Sequence, residues 1–572
     1  MPVWAATALA AAGMALLMLG LPADGFFSGD AGVKVVAARN ALAHPRRPFD
    51  IDLPTIGGRP VPLADPMIVP HGDHAHELQS PVFPVVSAPL IAVFGLRGAY
   101  VLPAVSLVLM VPLLEAMRRV ATPATPPIVV SGVALIANPL FFYSLEFWEH
   151  APAVALLAAC TALVWRSPEF VRAGDNAAGP GVGLPHPTPP ARGWLGYRTQ
   201  VNSLMDMADD RATIANELIS GALGGVAVLL RPEAGLYVMA LLVACRPGLR
   251  AVVAFAVGAA VVVGPLSIAS YAHSGSFLGT HLTNTLAPLP REWFSGRVSR
   301  IEAWLWPHSI AEGLGVACLA IGCFAGRFGL SLRTRQTIAL IGVVVVTLLA
   351  AGRELDRNSL WQAFPVAALA FVPVATAQRL RPLRVLAGLT AVLVVVTATH
   401  DGGAQWGPRF LLIVTPPLIV LASTAIADVI APGSWRPARV TLSAIIFVAA
   451  LVTNRAAYRE LRGAKNVYAR IVAATESLTR PGEPIVTNVW WFDQIAAPLY
   501  GTRTFVYVPD RLSATQTVGE LAAARERNIA LVWTKEAEGE PLNTAVNGSC
   551  YLMVDEKAIP ERQLVFGSAS CR

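Results

Sequence analysis

Asp30 and Lys34 stand four residues apart directly after an apolar run, Val3 to Leu21, in a chain with little charge elsewhere. Residues at i and i+4 share one face of a helix, so "SGDAGVKVVAARNALA" sets a carboxylate beside an ammonium just where the first apolar run ends. An acid in that place can act as general base toward a hydroxyl acceptor if it faces a cleft. It can equally cap the helix, with Lys34 as its i+4 partner. Asp24, six residues earlier, is the second candidate acid.

Other side chains with chemistry fall into four groups. "HGDHAHELQ" (71–79) packs His71, Asp73, His74, His76 and Glu77 into nine residues. His71, Asp73 and His74 have the donor types for a divalent ion, although their spacing follows no known ligand frame. The other reading is a polar rim that orients an acceptor, with Glu77 as a binding group. Glu146, Glu149 and His150 lie together at the ends of two apolar runs. Acids at a membrane boundary are costly unless paired or wet, which makes them binding candidates; alternatively, with Phe147 and Trp148, they belong to an interfacial belt. Arg231 in "LLRPEAG" and Arg409 in "WGPRFLL" each sit beside a proline where an apolar run meets the surface. A guanidinium there can grip a phosphate through two parallel hydrogen bonds or snorkel to the headgroups. Arg291, Trp293, Arg297 and Arg300 make a basic, aromatic loop suited to headgroups, glycan or plain solvent.

The elements that must position these groups follow from composition. Of 572 residues 54% are hydrophobic and 14% charged, with mean hydropathy +0.55. A water-soluble chain of that length needs more charge. Apolar runs long enough for a bilayer recur along it, so the expected fold is a polytopic α-helical membrane protein. About thirteen spans are expected, near 3–22, 99–117, 127–143, 151–166, 216–230, 234–247, 251–270, 310–326, 336–352, 362–378, 385–399, 410–430 and 439–453. The net charge of +7 is scattered as short arginine clusters between apolar runs, not gathered on a basic domain. That pattern excludes a nucleic-acid partner and fits basic cytoplasmic loops.

With a cytoplasmic N-terminus, every short inside connection is basic, from Arg118–Arg119 to Arg436 and Arg439. The outer side then receives the loops 23–98 and 271–309 and everything after 454, whereas the Pro/Gly-rich 167–215 is an inner, disordered loop. "LPADG" is a weak signal-cleavage site, but no basic segment precedes the first run, which is read as a span. Within 23–98, Pro81, Pro84 and Pro89 turn "SPVFPVVSAPLIAVFG" into an interfacial helix rather than a span. Residues 1–453 thus form the membrane domain. Residues 454–572 alternate helical and strand patterns, as a small outer α/β domain would. Cys550 and Cys571 both lie in that tail, on the oxidising side, and are a candidate disulfide that their spacing permits.

The order of these segments resembles the C-type (GT-C) glycosyltransferase superfamily. "SGDAGVKVVAARNALA" after the first span is similar to its outer-loop acid motif, and "QSPVFPVVSAPLIAVFG" to its proline-rich interfacial helix. "NPLFFYSLEFWEHAPAVALLA", "VLLRPEAGLYV" and "GGAQWGPRFLLIVTPPL" resemble three further motifs in the same order. Protein O-mannosyltransferases and lipid A aminoarabinose transferases are such proteins. The resemblance implies inverting transfer of a sugar from a polyprenyl-phosphate-linked donor to a lipid, glycan or protein acceptor outside a bacterial inner membrane. No cofactor is required by it, with a divalent metal as the alternative.

Carried over by position, Asp30 is the base and Asp24 the fallback. Relatives place a lysine before paired prolines, whereas this chain has Gln79–Ser80–Pro81, so Lys34 or an arginine must supply that charge. A lipid or glycan transporter or flippase is the alternative. Such proteins more often show matching halves and broken helices near the midplane, and no internal repeat is visible here.

Overall fold

The computed structural model describes residues 2–53, 68–71, 74–77, 79–166, 195–274, 310–351, 360–398, 406–432, 436–509, 511–524 and 528–534. It also describes 301, 303–304 and the strands 55–56, 59–60, 545–546, 550–559 and 564–571. Arg291, Trp293, Arg297, Arg300 and the 167–194 part of the inner loop lie outside them.

Six helical segments of the described residues are long and apolar enough to cross a bilayer: Val82–Ala121, Thr213–Leu230, Leu249–Ala272, Leu332–Leu349, Arg409–Ile430 and Arg436–Leu478. Val3–Leu19, His150–Val164, Ala234–Cys245 and Gly313–Phe328 are apolar but shorter. Among the described residues, length alone thus supports six of the about thirteen expected spans, and the count of thirteen is not confirmed. A 17-residue helix is about 25 Å long, short of the roughly 30 Å hydrocarbon layer unless its ends are extended. Two runs also break. Asn138–Pro139 splits 127–143 into helices Pro127–Ile136 and Leu140–Tyr143, and 362–378 forms the 3-10 stretch Pro365–Phe371.

Four helices frame the site. α1 (Val3–Leu19) ends at Gly20, and a short connection leads to α2 (Gly29–Ala43). Ten of the fifteen α2 residues are buried, so α2 is a core helix and not a surface flap. α3 (Val82–Phe94), with Pro89 inside it, spans only about 20 Å and continues through a 3-10 turn into α4 (Val101–Ala121). A proline-bent segment of that length lies against α2 and cannot cross alone.

Between α2 and α3 runs a small antiparallel sheet, β1 (Ile51–Asp52), β4 (Ile68–His71) and β5 (His74–Glu77), in the order β1-β5-β4, beside the hairpin β2 (Thr55–Ile56) and β3 (Arg59–Pro60). Toward the C-terminus one helix, Arg436–Leu478, runs unbroken for 43 residues. The expected boundary at 453/454 falls inside it.

Beyond that helix the chain builds a six-stranded mixed sheet. β6 (Pro484–Thr487) pairs in parallel with β7 (Thr504–Tyr507) and with β8 (Asn528–Thr534). β11 (Leu564–Cys571) is antiparallel to β8 and to β10 (Cys550–Ile559), and β9 (Ala545–Val546) closes the edge. The helix Arg511–Ala523 makes the crossover that a parallel β7–β8 arrangement needs. The register sets Cys550 opposite Cys571.

This sheet's approach packs hard on α2. Arg39 donates to the carbonyls of Ala497, Pro498 and Tyr500 at 3.3, 2.6 and 3.2 Å. A Cβ on Gly32 would lie 1.6 Å from the Gln494 carbonyl oxygen, so only glycine allows that approach.

Candidate active site

Asp30 sits in the first turn of α2, but it does not cap it. Ser28 is the N-cap residue, with no side-chain cap bond. The Asp30 carboxylate instead reaches across the fold: Arg409 Nη1 donates to its Oδ2 at 3.3 Å. Asp30 is 18% exposed and Arg409 13%, which leaves an opening at a pair otherwise enclosed. Arg409 arrives through a tight turn. Gly407 has φ 70°, a left-handed value that disfavours side chains, and Pro408 then starts the 3-10 segment Arg409–Val414.

One helical turn on from Asp30, Lys34 is 1% exposed and ion-paired to Glu149 at 3.3 Å. Its ammonium donates to the Gln79 side chain and lies 3.5 Å from the Asp30 carbonyl oxygen. Gln79 in turn hydrogen-bonds Asp30. Gln79, just before Ser80–Pro81, thus holds the α2 lysine from across the cleft. The i, i+4 spacing sets that cation one turn from Asp30.

The network continues through Glu149. Arg231 donates to Glu149 Oε1 at 3.0 Å and to Glu233 Oε1 at 3.0 Å. Its Nη1 is also 2.6 Å from His150 Nε2. A guanidinium cannot accept a hydrogen bond, so Nε2 is the acceptor and the imidazole proton sits on Nδ1. The Phe410 ring contacts both guanidiniums, its centroid 5.7 Å from Arg231 and 5.4 Å from Arg409. The Tyr143 ring lies 4.8 Å from that of His150, tilted by 33°, and its hydroxyl donates to the Trp406 carbonyl at 3.1 Å. That bond ties the Arg409 turn to the start of the helix His150–Val164.

Electrostatics sort the acids. Burial by itself raises the Asp30 carboxyl, but Arg409 and Lys34 outweigh it and hold Asp30 below the usual aspartate value. Glu149 is likewise raised by burial and brought below the usual glutamate value by Lys34 and Arg231. Glu77 goes the other way. Burial lifts it to about 8, Lys34 offsets only part, and Glu149 and Asp30 add to the rise. The site thus holds two ionised carboxylates and one that keeps its proton near neutrality.

Of the residues singled out in the sequence, the structure brings together Asp30, Lys34, Glu77, Glu149, His150, Arg231 and Arg409. Glu146 is drawn elsewhere. Expected to share a cleft with Glu149, it is fully buried and pairs with Lys465 at 2.8 Å. Lys465 also donates to the Gly25 carbonyl at 3.2 Å and lies 4.0 Å from the Tyr100 ring centroid. The buried pair therefore holds the connection before α2 rather than a ligand. Asp24 lies within electrostatic reach of Tyr100, on that same side.

Asp73 is outside the described residues, and of His71 only the strand position opposite His74 is described. His74 instead lies with His76 and Asp50. Sequence reading missed Glu233, Tyr143, Phe410, Lys465 and Asp50. Glu233 alone had a signal, two residues after Arg231 in "RPE".

No family model and no curated protein matches the sequence. Solved structures do. ArnT from Cupriavidus metallidurans in the apo state aligns over 98% of this chain and 97% of its own, at 13% identity and TM-score 0.52. The same protein bound to undecaprenyl phosphate aligns over the same shares at 14% identity and TM-score 0.52. The chain shares the fold of ArnT. An archaeal oligosaccharyltransferase, AglB from Archaeoglobus fulgidus with an inhibitory peptide and a dolichol-phosphate, matches over 92% of this chain and 69% of its own, at 12% identity and TM-score 0.42, too faint to argue from. Within that fold, the cluster around Asp30 follows the first apolar helix.

Proposed function

We propose that this chain is an inverting glycosyltransferase that moves a sugar from a polyprenyl-phosphate-linked donor to a lipid, glycan or protein acceptor. The reaction takes place on the outer side of a bacterial inner membrane. The observation that carries the reading is the Asp30–Arg409 contact at 3.3 Å, with Lys34 and Arg231 both paired to Glu149 in the same network. Cations gathered round one accessible carboxylate suit an anionic leaving group beside a base. The ArnT structure that holds undecaprenyl phosphate supports the donor class.

In the reaction so read, Asp30 takes the proton of the acceptor hydroxyl. The acceptor oxygen attacks the anomeric carbon from the face opposite the phosphate, and the bond from that carbon to the phosphate oxygen breaks. Polyprenyl phosphate leaves with the electron pair, and it needs its charge held more than it needs a proton. Arg409 and Arg231 hold it. Arg409 has a double part in this scheme. In the free protein it keeps Asp30 ionised; once the donor phosphate claims it, Asp30 loses a counter-charge and becomes a stronger base. The buried, protonated Glu77 can donate a hydrogen bond to a sugar or acceptor oxygen, and His150 Nδ1–H offers a second donor.

Purified protein in detergent or liposomes, given a polyprenyl-phosphate-linked sugar and an envelope-lipid extract, should release polyprenyl phosphate and label an acceptor. Facilitated movement of the intact donor across the bilayer with no bond broken would instead support a flippase.

A further inference from the structure

Away from the cluster around Asp30, Asp50, His74 and His76 bring one ligand atom each to within 4.8 Å of one another. The juxtaposition follows from strand pairing. β5 runs antiparallel to β1, with Ile51 opposite Ala75 and Asp52 opposite His74. Residues two apart on a strand share a face, so His74 and His76 point the same way, and the register carries Asp50 toward His76. Asp50 and His76 are buried and His74 is half-buried. The two imidazole centroids are 5.8 Å apart.

The neighbouring Asp52 pairs with His44 at 2.6 Å and Arg47 at 3.9 Å. The backbone of this strand is fixed from both sides. The Asn40 side chain donates to the Asp50 carbonyl and accepts from the Asp52 amide at 3.2 Å, and the Tyr500 hydroxyl donates to the Asp52 carbonyl at 2.8 Å.

We propose that Asp50, His74 and His76 form a zinc site that clips β5 to the start of β1. Two imidazole nitrogens and one carboxylate oxygen are a donor set that tetrahedral Zn²⁺ accepts, with water in the fourth position. Zinc–ligand bonds of about 2.0–2.1 Å set the donors roughly 3.4 Å apart, so the widest pair closes by a little over 1 Å. The ion has no part in the chemical step. Its effect is positional: His76 precedes Glu77, and Gln79 follows two residues later to hold Lys34. Pinning β5 pins both groups over the Asp30 cleft. This set replaces His71, Asp73 and His74, which adjacency in the sequence suggested, and it does not depend on the proposed sugar transfer.

The full-length protein, purified in detergent and dialysed against micromolar zinc and then zinc-free buffer, should retain one zinc per chain by elemental analysis. Asp50→Asn and His76→Ala should each lose it, and His71→Ala and Asp73→Ala should keep it. Cobalt in place of zinc should give the strong visible absorption of a four-coordinate site in the unaltered protein, a readout that needs no variant to fold. Chelation should lower the melting temperature, and zinc should restore it. Unaltered protein that retains neither metal overturns the site. So does a zinc content lost in His71→Ala or Asp73→Ala but kept in Asp50→Asn, or a melt that chelator leaves unchanged.

Discussion

Arg409 Nη1 lies 3.3 Å from Asp30 Oδ2, joining two side chains 379 residues apart in the chain. The contact sets the charge of the proposed base. Arg409 and Lys34 keep Asp30 ionised below the usual aspartate range, so activity lost on acidification should be lost only at unusually low pH. Removing the guanidinium removes a positive charge that lowers this pKa; the pKa therefore rises, and the acid limb must move to higher pH. The expected result for Arg409→Gln is an acid limb of kcat/KM displaced upward relative to the unaltered enzyme, since kcat/KM reports the free protein. A limb that stays put would separate Arg409 from Asp30.

Arg409→Lys keeps the charge but loses the fork that grips a phosphate through two parallel bonds. One lost phosphate contact at a partly enclosed site is worth about 1.5–3 kcal/mol, or roughly ten- to a hundredfold in kcat/KM for the donor. Arg231→Lys should also weaken donor use, by less. Arg231 spans Glu149 and Glu233, so its replacement should in addition lower the melting temperature, which Arg409→Lys should leave nearly unchanged. Donor kinetics unaltered in both variants would leave these arginines as structural anchors.

The Glu146–Lys465 pair predicts a loss of stability with no change in substrate affinity. Both side chains are fully buried, and removing one partner strands the other's charge at a cost of about 3–5 kcal/mol. Lys465→Met alone should therefore melt at much lower temperature. Lys465→Met with Glu146→Leu, which strands nothing, should recover most of the loss. A double variant no better than the single one would show that the two residues act separately.

Membrane sidedness is testable without any substrate. The arginine clusters predict that residue 179 is inside and the sheet after Leu478 outside. A cysteine at Gly179 should resist impermeant thiol reagents in intact cells, and one at Ser513 should label. The reverse pattern would turn the active-site cluster toward the cytoplasm.

What the sequence revealed depended on range. Asp30 and Lys34 were readable because i, i+4 spacing is local, and Arg231 and Arg409 because an arginine at the end of an apolar run needs a partner. Which partners they took was not readable, because Arg409–Asp30 and Arg231–Glu149 are long-range contacts set by helix packing. Glu146 shows the cost of reading by adjacency: three residues from Glu149, it faces Lys465 from a distant helix instead. The count of spans suffered from the same limit. Apolar composition marks each run, yet whether 127–143 crosses or breaks was decided by Asn138–Pro139.

The central claim is that Asp30 is the base, and one substitution tests it most directly. Asp30→Asn is nearly isosteric and keeps a hydrogen-bond acceptor toward Arg409, so folding and binding of polyprenyl phosphate should survive. Transfer from a polyprenyl-phosphate-linked sugar should then be abolished in Asp30→Asn at every pH tested, with an unchanged melting temperature, while Asp24→Asn retains most of its activity. Wild-type turnover in Asp30→Asn would contradict the account.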